Sequence, residues 1–315
     1  MLALIARRLA LGVLTILVTS VLIFAGTEVL PGDVATAILG QSATPEALEA
    51  IRNQLGLHDP APVRYVRWLT NFLQGDLGTS LANGRPIAQQ VGARLGNTLF
   101  LASVAAAVAV PLAILLGLIA AIRANGWFDR ASSVASLIAV SFPDFFIAYV
   151  LVILVAVKLG WFPGLASISP TMSFGAKLNA VALPAMTLVL GVFAQMMRMT
   201  RASVIGVMSS PYVEMAVLKG LAPWRVVVQH ALPNALAPII NVVALNLAYL
   251  IVSIIVVEVI FVYPGIGQLM IDAVSKRDVP LVQACGLIFA GTYVGLNMIA
   301  DILSILSNPR LRRPR

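Results

Sequence analysis

The chain has 315 residues, 60% hydrophobic and only 11% charged, with a formal net charge of +8. Soluble domains carry about 25% charged residues, so this composition excludes an ordinary soluble enzyme, a disordered chain and a nucleic-acid binder with a broad basic face. The single cysteine, Cys285, excludes an intrachain disulfide framework and a multi-cysteine metal site. A mean hydropathy of +0.96 and recurring apolar runs of about 20 residues make lipid the solvent for most of the chain.

Arg7-Arg8 is followed by no charge from Leu9 to Thr27, long enough to cross a bilayer at about 1.5 Å per residue. A secretory signal is the rival reading, but its apolar region is about 7–15 residues. This run is longer and ends in Glu28-Val29-Leu30-Pro31-Gly32-Asp33, so it reads as the first span. A polar segment over 31–95 follows, expected to be a small helical layer outside the membrane. Thr44-Pro45 starts a helix with Leu48, Ile51 and Leu55 on one face, stopped at Gly56. Pro62 opens another with Val66, Leu69 and Leu73, ended by Gly75-Asp76-Leu77-Gly78. A third is expected from Pro86, with Ile87, Val91 and Leu95.

Further spans are expected at about 97–122, 134–157, 180–200, 236–258 and 281–306. The fold class is therefore all-α, a polytopic membrane protein of six helices. Its divisions are 1–30, 31–95 and a five-helix core over 96–315 that contains a loop at 202–235. In a six-span order, Arg7-Arg8, Arg123 and Arg130, the Arg198–Arg225 cluster and the Arg310–Arg315 tail share one face. The excess of Lys and Arg in short loops marks the cytoplasmic side, so both termini are expected there.

Asp144 lies inside span three, in Ser141-Phe142-Pro143-Asp144-Phe145-Phe146. A central carboxylate costs about 2.5–3.5 kcal/mol on the insertion scale. It is either a group on the translocation pathway that meets a substrate amine or cation, or an interior acid paired with polar neighbours. Pro143 is expected to kink the helix. Glu258 and Asp301, near the ends of spans five and six, read as structural. Gly291-x-x-x-Gly295 allows close helix approach. Gln195, Met196, Met197 and Met199 suit packing better than soft-metal handling. His58 and His230 have no metal-binding neighbours in sequence, so no metal site is expected.

The loop between spans four and five is too long for a plain turn. Pro211 starts a short helix, Gly220 supplies a left-handed stop and Pro223 suits the first turn of a second helix. This helix–Gly–helix elbow can present an exposed helix to a groove on another protein. Its candidate contact residues are Tyr212, Glu214, Ala216, Gly220, Leu221, Ala222, Pro223, Trp224 and Arg225.

Glu214-x-Ala216-x3-Gly220, with His230-Ala231-Leu232-Pro233 nine residues on, resembles the EAA loop of binding-protein-dependent ABC importer permeases. Leu30-Pro31-Gly32-Asp33, Leu55-Gly56-Leu57, Arg94-Leu95-Gly96-Asn97-Thr98-Leu99 and Tyr263-Pro264-Gly265-Ile266-Gly267 narrow the resemblance. They are similar to motifs of the dipeptide/oligopeptide/nickel permeases, as is the tail Asn308-Pro309-Arg310-Leu311-Arg312. The chain departs from them at Glu214-Met215 where Arg-Thr is common, at His230 and at Asn308.

The resemblance covers the whole chain and implies the type I permease fold in a bacterial inner membrane. It implies a second homologous permease subunit, two cytoplasmic ATPases that bind ATP and Mg, and an extracytoplasmic substrate-binding protein. The cargo it implies is short peptides, with nickel, glutathione or another small solute as alternatives. The chain would be a transport subunit, not an enzyme. It holds no Gly-Lys dipeptide and so no P-loop, and no cofactor is expected in it. An ion-coupled secondary transporter would need acids at the midplane, where only Asp144 qualifies. An intramembrane protease would need paired aspartates or a Ser–His pair in the spans.

Overall fold

A computed structural model describes residues 2–29 and 44–307. The Leu30–Asp33 motif and the basic tail from Asn308 lie outside the described residues. Helices and their connections account for those residues, apart from an isolated antiparallel bridge between Thr79 and Pro86. In chain order the helices are α1 (Leu2–Glu28), α2 (Pro45–Leu55), α3 (Ala61–Leu73), α4 (Ile87–Ile122), α5 (Trp127–Ser141) and α6 (Asp144–Leu151). They continue with α7 (Phe174–Ala180), α8 (Ala182–Met208), α9 (Pro211–Leu218), α10 (Pro223–Arg225), α11 (Leu232–Ile260), α12 (Ile266–Ser275) and α13 (Val279–Ser307). A π-helical stretch over Val152–Lys158 extends α6, and another over Val226–Ala231 joins α10 to α11.

Five helices are long and apolar enough to cross a membrane, and the bent pair α5–α6 makes a sixth candidate. Span three is therefore two helices at 99°, not one kinked rod. Phe142 is extended at φ −98°, ψ 133°, and Pro143 follows at φ −65°, ψ 149°. Proline disfavours helical geometry at the residue before it and donates no hydrogen bond of its own. Asp144 thus falls at the start of α6, where the helix dipole favours a carboxylate.

The expected third outer helix does not stand alone. Its residues are the first turns of α4, which runs unbroken over 36 residues with Pro111 inside it. The boundary expected at 95 falls mid-helix. By contrast, α2 begins and ends where its capping residues indicate. Thr44 Oγ1 accepts from the Ala47 N–H at 3.2 Å and Gly56 closes the helix at φ +62°.

The chain forms two compact units. One comprises Met1–Ala10, Leu99–Tyr263 and Gly295–Arg315. In it α8 packs against α5, α6 and α11. The backbones of α4 and α8 touch at Gly117, where a Cβ would lie 2.9 Å from the Met197 carbonyl oxygen. Asp129 of α5 is buried, accepts from the Asn125 N–H at 2.8 Å and pairs with Arg201 of α8. Phe261 and Tyr263 are fully buried. Burial and the nearby Glu258 carboxyl push the Tyr263 phenol well above the usual tyrosine range.

The other unit comprises Leu11–Thr98 and Pro264–Val294. Its core gathers Ile87 and Val91 with Ile266, Leu269, Ala273, Leu281, Ala284 and Cys285. Two polar ties complete it. Asn97 Nδ2 donates to the Pro264 carbonyl at 2.8 Å, and the Ile266 N–H donates to Thr98 Oγ1 at 2.9 Å. The turn at 80–82 is held by buried Asp278, which accepts from Ser80 Oγ and from the Leu81 and Ala82 N–H groups.

Candidate functional site

The elbow at 209–231 is built by local rules. Pro211 occupies the first turn of α9, where a missing N–H is harmless. The helix ends in a Schellman turn. The Leu221 N–H donates to the Ala216 carbonyl at 3.3 Å and the Gly220 N–H to the Val217 carbonyl at 2.9 Å. Gly220 sits at φ +78°, and a Cβ there would meet nothing within 4 Å. Its requirement for glycine is thus purely conformational. Pro223 then opens α10.

One face of the elbow is internal. Val213, Ala216 and Val226 are buried together, with Val207, Met208 and Leu221 packed against them. Ala216 is therefore part of the elbow's own core, where its small side chain lets α9 and the 226 segment approach. Of the other candidate contact residues, Leu221 is half-buried. Tyr212, Glu214, Gly220, Ala222, Pro223, Trp224 and Arg225 are exposed, as are the apolar Met215, Val217 and Leu218. The Arg225 guanidinium lies 5.4 Å from the Trp224 ring centroid, a cation–π distance. The exposed face therefore combines apolar and aromatic residues with the opposite charges of Glu214 and Arg225.

Asp144 lies at a second feature, a cleft of about 610 Å³ within the first unit. The break between α5 and α6 forms one wall, and Gly191 and Gln195 of α8 and Asn246 and Tyr249 of α11 line the others. Ser253 Oγ donates to Asp144 Oδ2 at 2.5 Å. At Gly191 a Cβ would fall 2.6 Å from Asp144 Oδ1, so the carboxyl occupies the space that a side chain would need.

The remaining sequence features lie apart from the elbow and the cleft residues around Asp144, except Gln195 and Met199, which line the cleft. Arg8 pairs with Asp301 at 2.8 Å, with both side chains partly exposed. Glu258 is fully buried. Met196 and Met197 are buried in α8, and Gln195 accepts from Arg198 at 2.6 Å. His58 lies 3.0 Å from Glu49. No group of three metal-ligating side chains occurs among the described residues. Among the described residues no neighbour stands within 4 Å of a Cβ at Gly291 or Gly295. Sequence reasoning missed Asp278 and Ser253, whose partners lie far away along the chain. Asn97-Thr98 and Pro264–Ile266 were visible as motifs, but their contact was not.

Residues 113–313 match the family described as binding-protein-dependent transport system inner membrane component, and residues 1–102 match the corresponding N-terminal family. A Brucella abortus protein provisionally named a peptide transport system permease is 37% identical over 312 residues, covering 99% of each chain. A glutathione transport system permease protein of Pectobacterium atrosepticum is 36% identical over 306 residues, 97% of each chain. A Sinorhizobium fredii protein named a probable peptide ABC transporter permease is 34% identical over 308 residues, 98% of each chain.

Proposed function

Because this chain belongs to the family of binding-protein-dependent transport system inner membrane components and is a permease subunit of a peptide-type ABC importer, we propose that its elbow is the site where ATP hydrolysis is coupled to transport. The observation that carries the reading is the elbow itself. It combines a glycine-set shape, an internal apolar core and an outward face of Tyr212, Met215, Leu218, Trp224 and Arg225. Aromatic residues and arginine anchor protein contacts more often than other exposed residues. An apolar helix face laid into a groove is a common recognition mode.

In this reading the elbow and both termini are cytoplasmic, and a cytoplasmic ATPase grips the elbow. A second, homologous permease completes the pore, with one ATPase per permease. ATP and Mg are bound by the ATPases, and an extracytoplasmic binding protein delivers short peptides. Closure of the ATPases moves the elbows and rocks the spans. Glutathione is a second cargo reading, favoured by the relative whose name specifies glutathione transport.

The test is purification of the tagged chain in mild detergent from its native membrane, with mass spectrometry of co-purifying proteins. A P-loop ATPase and a second permease are expected. Recovery of a folded chain alone would remove the reading. Reconstituting the recovered complex with its binding protein then separates the cargoes. Competition of labelled dipeptide uptake by glutathione assigns the second reading, and its absence retains the first.

A further inference from the structure

The geometry points to the cleft around Asp144 as a subsite for the ammonium group of the cargo, an inference that rests on the peptide-importer reading. The Asp144 carboxyl has an incomplete set of partners. Ser253 donates to Oδ2, but Oδ1 lies against Gly191 and accepts no hydrogen bond among the described residues. Asp144 makes no ion pair among those residues, and no Lys, Arg or His lines the cleft. The cation closest in sequence to the α8 wall, Arg198, is spent on Gln195 at 2.6 Å. A carboxyl group inside a membrane segment is costly and is normally paired or set on a solute pathway. Here one oxygen is satisfied and the other rests against Gly191, in a cleft lined by no fixed cation.

The cavity matches the proposed occupant. Its volume of about 610 Å³ falls within the range of roughly 300–1,000 Å³ typical of small-ligand sites. An ammonium group carries three donors and no acceptor, so it suits an acceptor oxygen at the wall. Phe142, Met199 and Leu245 supply apolar lining for a side chain. Asn246 is already committed, donating through Nδ2 to the Val242 carbonyl at 2.8 Å. The site exists because three features coincide. The 99° break exposes the start of α6, Gly191 leaves room for the carboxyl, and Ser253 fixes its rotation.

The test uses the assembled importer in liposomes with its binding protein at saturation. Uptake per ATP hydrolysed is measured for a free-amine dipeptide and for its N-formyl analogue, which carries no ammonium. Asp144→Asn keeps the shape and the acceptor for Ser253 but removes the charge. It is expected to lower free-amine uptake per ATP about tenfold or more, the scale of a charge-assisted hydrogen bond. The formyl analogue, slow in the parent importer, is expected to change less than about twofold. Subunit recovery is expected to be unchanged, so the loss is read on an assembled importer.

Equal loss for the two cargoes, or none for either, overturns the subsite. If the Asn variant fails to assemble, Ser253→Ala carries the same test. It frees the carboxyl to rotate and is expected to lower free-amine uptake about threefold, again sparing the formyl analogue. An equal response overturns the inference. A parent importer that takes up neither peptide removes the peptide reading itself, and that result is visible before any variant is compared.

Discussion

Two helices of the same unit stop in the same way with different residues. After α9 the turn residue is Gly220 at φ +78°, and after α11 it is Val262 at φ +50°. The hydrogen bonds correspond, with Leu221 N–H to Ala216 at 3.3 Å and Tyr263 N–H to Glu258 at 2.8 Å. A side chain in this region costs about 1–2 kcal/mol, and a β-branched one is the least suited to it. The difference lies in the residue just past each turn. Tyr263 is fully buried, with Phe261 and Glu258 buried beside it, whereas Leu221 is half-buried between exposed neighbours. Arg277 repeats the second case in the other unit, at φ +53° and followed by buried Asp278. Strained conformations persist where surrounding packing over-determines them. A turn with a buried anchor tolerates valine or arginine, while the elbow must obtain its shape from glycine.

Removing an anchor should have the largest effect. Asp278→Ala strips the acceptor from Ser80 Oγ and from the Leu81 and Ala82 N–H groups, and it frees the strained Arg277 turn. The expected loss is about 3 kcal/mol, because the buried Ser80 hydroxyl and two partly buried N–H groups are left without a partner. Equilibrium unfolding by sodium dodecyl sulfate in mixed micelles measures it. A loss under about 1 kcal/mol would show that the Arg277 turn does not depend on its anchor.

Exchanging the turn residues sharpens the comparison, because the two changes should differ in sign. Gly220→Val puts a β-branched residue at φ +78° with no packing to hold it. It is expected to cost the elbow about 1–2 kcal/mol. Binding-protein-stimulated ATP hydrolysis should fall while the spans still insert, a result read from activity and from membrane fractionation. Val262→Gly removes a side chain that is 54% exposed. Relief of the strain should outweigh the added freedom of the unfolded chain, giving a gain of about 0.5–1 kcal/mol in the same unfolding assay. A loss at Val262 would mean that its side chain, and not its neighbours, holds the turn.

These turns also mark the limit of what was legible in the sequence. Gly220 and Gly56 were readable as stops, and Thr44-Pro45 as a start, because capping is local chemistry. Val262 and Arg277 gave no such signal, since neither residue prefers the conformation it adopts. Tertiary contacts to Tyr263 and Asp278 impose it. Pro143 announced a bend, but nothing local set it at 99°. Likewise, the start of α4 looked like a separate helix because Ile87, Val91 and Leu95 follow a start signal at Pro86, yet Gly92 and Gly96 do not divide it from the span. Isolated glycines weaken a helix without ending it, and Ile87 and Val91 are buried against residues beyond position 265. At the elbow, the inward turn of Ala216 was available from its three-residue spacing to Val213, which places both on one face. For Asp144 the chemistry was legible, but Ser253, 109 residues away, was not.

The smallest expected effect on stability falls on the residue expected to matter most for coupling. Trp224 is 52% exposed and touches Arg225 across 5.4 Å. It lies outside the core formed by Val213, Ala216 and Val226. Trp224→Ala should therefore shift unfolding by no more than about 0.5 kcal/mol. If the outward face is a contact for the ATPase, the same change should remove about 2 kcal/mol of binding, because exposed aromatic anchors dominate such interfaces. That corresponds to roughly thirtyfold weaker recovery of the ATPase on titration, since each 1.4 kcal/mol is tenfold. Gly220→Val and Trp224→Ala would then both impair coupling for different reasons, one through elbow shape and the other through its surface. Their stabilities separate them. If Trp224→Ala instead unfolds the elbow and leaves ATPase affinity intact, the indole is part of the fold and the contact must be sought on another face.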